Sequence, residues 1–284
     1  MKKLGFTLAE ILITLGIIGV VAALTAPSLV VNSRNEANAA KLAVVVSNLE
    51  NAFTSAIAQE GVDSLYQTRM WSGITRYNRA AGEGGLNANS SDADIARFMG
   101  ELGRYMVLNG YRREETDDFY HRAGATTYRM TANGGRGVAI NFGNEGDGPS
   151  FPIILKNGAV IFFRAFGRDS FDEDENAIRA AGGSYIHNAA DVFVDVNGTS
   201  EPNIVGRDIF AFGVGNNGIL YPAGGRDEII HARNGAAGID YGTLTWDNED
   251  NNANIRGRCC LDGQISVGWG CTARLIEQNY KMTY

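Results

Sequence analysis

Residues 4–31 read LGFTLAEILITLGIIGVVAALTAPSLVV, and this stretch decides the architecture. Its one charged residue is Glu10, and its polar interruptions are Thr7, Thr14, Thr25 and Ser28. A helix needs about 20 apolar residues to cross a bilayer, so the run is long enough. Lys2 and Lys3 precede it. Basic residues stay on the cytoplasmic side, which puts the N-terminus inside and exports the chain beyond the run. A cleaved secretory signal fits poorly, because its apolar region spans about 7–15 residues and ends in a small-x-small site. Here the run is longer, the best small pair is Ala23 and Thr25, and Pro27 lies just beyond. A plain signal anchor explains length and orientation but gives Glu10 no reason to exist. A carboxylate inside a membrane segment costs about 2.5–3.5 kcal/mol near the centre and less near the interface, so it calls for a function and a partner.

Beyond Pro27 the pattern changes. Leu42, Val45, Val46, Leu49, Ala52, Phe53, Ala56 and Ile57 recur at steps of three and four, while Lys41, Ser47, Asn48, Glu50, Asn51, Ser55 and Gln59 take the other side. This predicts a half-buried helix, not a second span. Gly61 is its natural stop. Phe6 to Glu60 then forms one helix about 80 Å long, kinked near Pro27, apolar all round in its first half and one-faced in its second.

The remainder reads as α+β. Residues 62–89 look irregular, with Gly82-Glu83-Gly84-Gly85 suggesting a surface loop. Ser91-Asp92-Ala93-Asp94 has the form of a capping box, and Ile95, Phe98, Met99, Leu102 and Met106 share a helical face ending near Gly110. From about Ala125 the period becomes two. Val138, Ile140 and Phe142 alternate; 150–155 and 159–166 flank Lys156-Asn157-Gly158, a hairpin signal; Val192, Val194 and Val196 alternate; 208–214 and 218–221 flank Asn216-Asn217. These strands predict an antiparallel sheet that buries the second half of the long helix. The composition agrees with a folded domain: 284 residues, 44% hydrophobic and 20% charged, exclude a wholly disordered chain. A formal net charge of −7 gives no overall basic character with which to hold nucleic acid.

Gly5-Phe6-Thr7-Leu8-Ala9-Glu10, behind a short basic leader, closely resembles the N-terminal motif of type IV pilins and type II secretion pseudopilins. The resemblance is strong over about the first 30 residues and agrees only in type over the next 30. It implies that a prepilin peptidase cuts between Gly5 and Phe6, that the new N-terminal Phe6 is N-methylated, and that Glu10 serves assembly. Pro27 matches the family's helix break, and Gly16 and Gly19 fall where such helices can locally extend. The organisation expected is a leader over 1–5, a transmembrane and polymerisation helix over 6–31, its amphipathic continuation over 32–60, and an exported pilin-like α+β domain over 61–284. The partners expected are the peptidase, other pilin or pseudopilin subunits, the pilus or secretion assembly machinery and the inner membrane, where the subunit waits as a single-pass protein before joining a periplasmic or surface filament. Physical chemistry supports the assignment to Glu10. Cleavage removes Lys2 and Lys3 and creates a free amine on Phe6. In a stack of parallel helices one subunit's amine can lie beside the next subunit's Glu10, and a buried carboxylate without such a partner is heavily penalised.

No other segment supplies a catalytic constellation, so the chain is expected to be structural and not an enzyme; the alternative is an exported enzyme or binding domain whose helix is only an anchor. Gly213-Val214-Gly215-Asn216-Asn217-Gly218 matches the dinucleotide fingerprint in form, but Ile219-Leu220-Tyr221-Pro222 comes next, where a helix is required, so a hairpin turn is the better reading. His121, His187 and His231 are far apart and fall in no metal or protease motif. Cys259, Cys260 and Cys271 contain no C-x-x-C. In an oxidising compartment Cys271 is expected to bridge one of the adjacent pair, Cys260 in preference to Cys259; the family resemblance also implies a C-terminal disulfide loop. The segment Asp191-Val-Phe-Val-Asp195-Val-Asn197-Gly198-Thr-Ser-Glu201-Pro202-Asn203, continued to Gly206-Arg207-Asp208, resembles a stretch in the globular part of many large pilin-like proteins. Asp195, Asn197 and Asp208 are candidate calcium ligands there, set against the preferred reading of a strand ending in Asx turns. The acidic cluster Asp169, Asp172, Glu173, Asp174 and Glu175 reads as a solvated loop.

Overall fold

The first helix, α1, runs without interruption from Leu8 to Glu60. At 1.5 Å per residue its 53 residues span about 80 Å. A computed structural model supplies these coordinates and describes residues 7–72, 92–111, 151–165, 188–200, 203–225, 246, 260 and 270–282. Pro27 lies inside α1, where the sequence led us to expect a break. A proline there removes one i to i−4 hydrogen bond, yet the turns on both sides keep the helix continuous. The end is as expected: Gly61 adopts the left-handed conformation (φ 64°), and its N–H bonds back to Ala58 and Ile57.

The two halves of α1 differ in burial as their patterns require. Every residue from Leu8 to Val31 is exposed. From Asn38 onward, Leu42, Val45, Val46, Leu49, Ala52, Phe53 and Ala56 are buried. At roughly 1.5–3 kcal/mol for each large aliphatic or aromatic side chain removed from water, this second half is what holds the helix to the domain.

Its partner is a six-stranded antiparallel meander: β1 (Leu108–Tyr111), β2 (Phe151–Leu155), β3 (Val160–Ala165), β4 (Asn188–Asp195), β5 (Ile209–Gly215) and β6 (Leu220–Pro222), ordered in the sheet as in the chain. Ile153, Ile161, Phe163, Val192, Val194, Phe210, Phe212 and Val214 share one core with α1. The other face is closed too: Val160, Phe162, Asp191, Asp195, Ile209 and Ala211 are buried. The expected sheet against the second half of α1 is present and is covered on its opposite face as well, and β5, buried at all seven positions, reads accordingly as a nearly unbroken apolar run.

Helix α2 (Asp92–Leu102) completes the core with Ile95, Phe98, Met99 and Leu102. It stops at Leu102, short of the expected end near Gly110, because the chain turns through 103–106 and enters β1. Met106 is still buried, but from the turn. Residues 62–72 are not a surface loop either. A short 3-10 turn, Leu65–Gln67, leads into Met70 and Trp71, and Leu65, Met70 and Trp71 are buried. Phe53, Trp71, Phe98 and Phe163 make four edge-to-face contacts with centroids 5.5–6.1 Å apart, so this segment, both helices and the sheet meet in one aromatic cluster. The β5–β6 turn lies directly on α1. Gly218 has φ +82°, and a Cβ there would sit 3.1 Å from the Phe53 backbone. The last helix, α3 (Cys271–Glu277), packs beside β5 and β6.

Residues 73–91, 112–150, 166–187 and 226–245 lie outside the described set, and with them the expected glycine-rich loop, the alternation at Val138, Ile140 and Phe142, the cluster from Asp169 to Glu175, and all three histidines.

Candidate functional site

The N-terminal end of α1 carries the one charge of the apolar run. Thr7 is the N-cap, with extended backbone (φ −75°, ψ 153°), and its hydroxyl accepts from the Glu10 N–H at 3.3 Å. Glu10 answers in the reverse direction. Its Oε2 accepts from the Thr7 backbone N–H at 2.8 Å and from the Thr7 hydroxyl at 2.8 Å. This reciprocal pair is a capping box, which satisfies two of the donors left orphaned at a helix start. Both bonds to the carboxylate fall on Oε2; among the described residues, no hydrogen bond reaches Oε1. The Thr-x-x-Glu spacing at 7–10 is visible in the sequence, so Thr7 as the local partner of Glu10 was readable there and was missed. Gly5 and Phe6 lie outside the described residues.

The rest of the run presents no unsatisfied hydroxyl. Thr14 donates to the Glu10 carbonyl at 2.8 Å, Thr25 to the Val21 carbonyl at 2.9 Å and Ser28 to the Thr25 carbonyl at 2.8 Å. A segment in hydrocarbon must satisfy its polar groups internally, and these do. This is also the one helix among the described residues long and apolar enough to cross a membrane. Gly16 and Gly19 have nothing within 4 Å of where a Cβ would lie.

The second candidate is the loop from β4 to β5, and the structure does bring Asp195, Asn197 and Asp208 together. The Asn197 N–H donates to Asp195 Oδ1 at 3.1 Å, and the Asn197 amide donates to Asp208 Oδ2 at 3.3 Å and to the Ser200 carbonyl at 2.7 Å. Asp208 Oδ1 accepts from the Ile204 N–H. Burial pushes the Asp208 carboxyl up to about 7, against the lowering effect of the Ile204 N–H, the Asn197 amide, its own N–H and the charge of Arg34. Calcium takes six to eight oxygens, whereas these carboxylates are turned onto N–H donors of their own loop. Asn197 Oδ1, on a half-buried side chain, has no hydrogen-bond partner among the described residues. Among the described residues no group of three or more His, Cys, Asp and Glu side chains is placed to hold a metal. The geometry is that of Asx turns closing a loop. The loop grips α1 instead: the Asn38 amide donates to the Arg207 carbonyl at 3.3 Å, and Lys41 Nζ reaches the Val196 carbonyl at 3.4 Å.

The third is the C-terminus. Cys260 and Cys271 form a disulfide, with Cα atoms 4.9 Å apart; Cys259 lies outside the described residues. The segment holding Cys271 is helical, which the reading as a disulfide loop did not foresee. Thr272 accepts the Ala211 N–H at 3.0 Å, the Ala273 N–H bonds the Ala223 carbonyl at 3.1 Å, and the buried Arg274 guanidinium lies 5.2 Å over the Trp246 ring while donating to the Cys260 carbonyl. These bonds tie the start of α3 and the bridge to β5 and to the residue after β6.

No family model matches the chain, and no curated protein or solved structure is significantly similar to it.

Proposed function

We propose that this chain is a structural subunit of a type IV pilus-like or type II secretion pseudopilus filament. A prepilin peptidase cuts it between Gly5 and Phe6, the new N-terminus of Phe6 is methylated, and the subunit is assembled from the inner membrane through α1. The observation that carries the reading is the first half of α1: an exposed, predominantly apolar helix with one carboxylate at its N-terminal end, continuous with a half that is part of a folded core. An anchor needs the apolar run alone. A filament subunit also needs a charge that sets axial register, much as a polar core residue fixes register in a coiled coil. The Thr7 cap lets Glu10 rest in a lone subunit, and its Oε1 remains for a donor from outside the helix, such as the amine of a neighbouring subunit's Phe6.

The test is the mature N-terminus. Mass spectrometry of membrane-extracted protein from peptidase-competent cells should find a chain that begins at N-methylated Phe6. A chain that still begins at Met1 contradicts the proposal and leaves the simple anchor standing, and one cut near Pro27 contradicts it in favour of a cleaved secretory signal.

A further inference from the structure

We draw no further inference here: the strongest candidate, the cluster of Asp195, Asn197 and Asp208 in the loop between β4 and β5, closes on N–H donors of its own loop, and the lone unpartnered Asn197 oxygen sits on a side chain too exposed to point to a ligand.

Discussion

Asp208 has no exposed surface, and its carboxyl is raised from 3.8 to about 7 chiefly by burial. The sign of the consequence is fixed by linkage. Between those two values the folded chain holds a proton that the unfolded chain has released, so unfolding free energy falls as pH rises across the window. The stabilisation is complete below about 3.8, is lost through about 7 and is flat above. We therefore expect the melting temperature of the full chain in detergent to fall between pH 5 and pH 7.5, and Asp208→Asn to flatten that part of the profile. An equal slope in the variant would show that other groups carry it. Glu10 is a contrasting case at the same scale. Its carboxylate is held from within its own first turn, by a residue three positions away. Local spacing of that kind can be read from a sequence. The Asp208 environment cannot, because its burial and the charge of Arg34 come from parts of the chain far from it in sequence.

Among the elements, α3 is both packed and stapled: Cys271 to Leu275 are buried, and the disulfide ties its first residue to Cys260. Seven residues with no side-chain cap at Gly270 make a poor isolated helix, so the disulfide and the bonds to β5 must hold it. Cys260 and Cys271 are 11 residues apart, and closing a loop of that order contributes about 3 kcal/mol in the chain-entropy account. Cys271→Ser should lower unfolding free energy by about that amount, read by urea denaturation of the oxidised and reduced proteins. A variant as stable as the oxidised parent would mean that Thr272 and Arg274 suffice. The elements that were legible are those whose signal is local and repeated. Leu42 to Ala56 follow one helical face, Ile95 to Leu102 another, and Lys156-Asn157-Gly158 marks its turn. The elements missed are short or depend on neighbours. β1 is four residues with Gly110 at φ +132° and a register shift, so no alternation shows. The second covered face of the sheet was hidden because the same apolar residue reads alike whether one layer or two lie against the strand.

Across the whole molecule, apolar surface is segregated. Among the described residues the exposed large hydrophobics lie in the span from Leu8 to Val31, apart from Val44, Val107 and Ile219. Core residues of α1 begin only at Ala39. A chain starting at Asn32 should accordingly stay soluble without detergent and melt close to the parent. One starting at Gly61 should not fold, since it lacks Leu42, Val45, Leu49 and Phe53 from the core. Circular dichroism melts and gel filtration distinguish the two, and aggregation of the Asn32 chain would contradict the division of labour within α1. We propose that the bare half of α1 packs against copies of itself, with Glu10 setting the register. This is tested by expressing Glu10→Ala beside the parent chain, confirming that both are processed and membrane-resident, and probing sheared surface or periplasmic filaments for each. The parent should be found in the filaments and the alanine chain should be absent or reduced at least tenfold, a difference of about 1.4 kcal/mol in assembly. Equal incorporation of the alanine chain would contradict it.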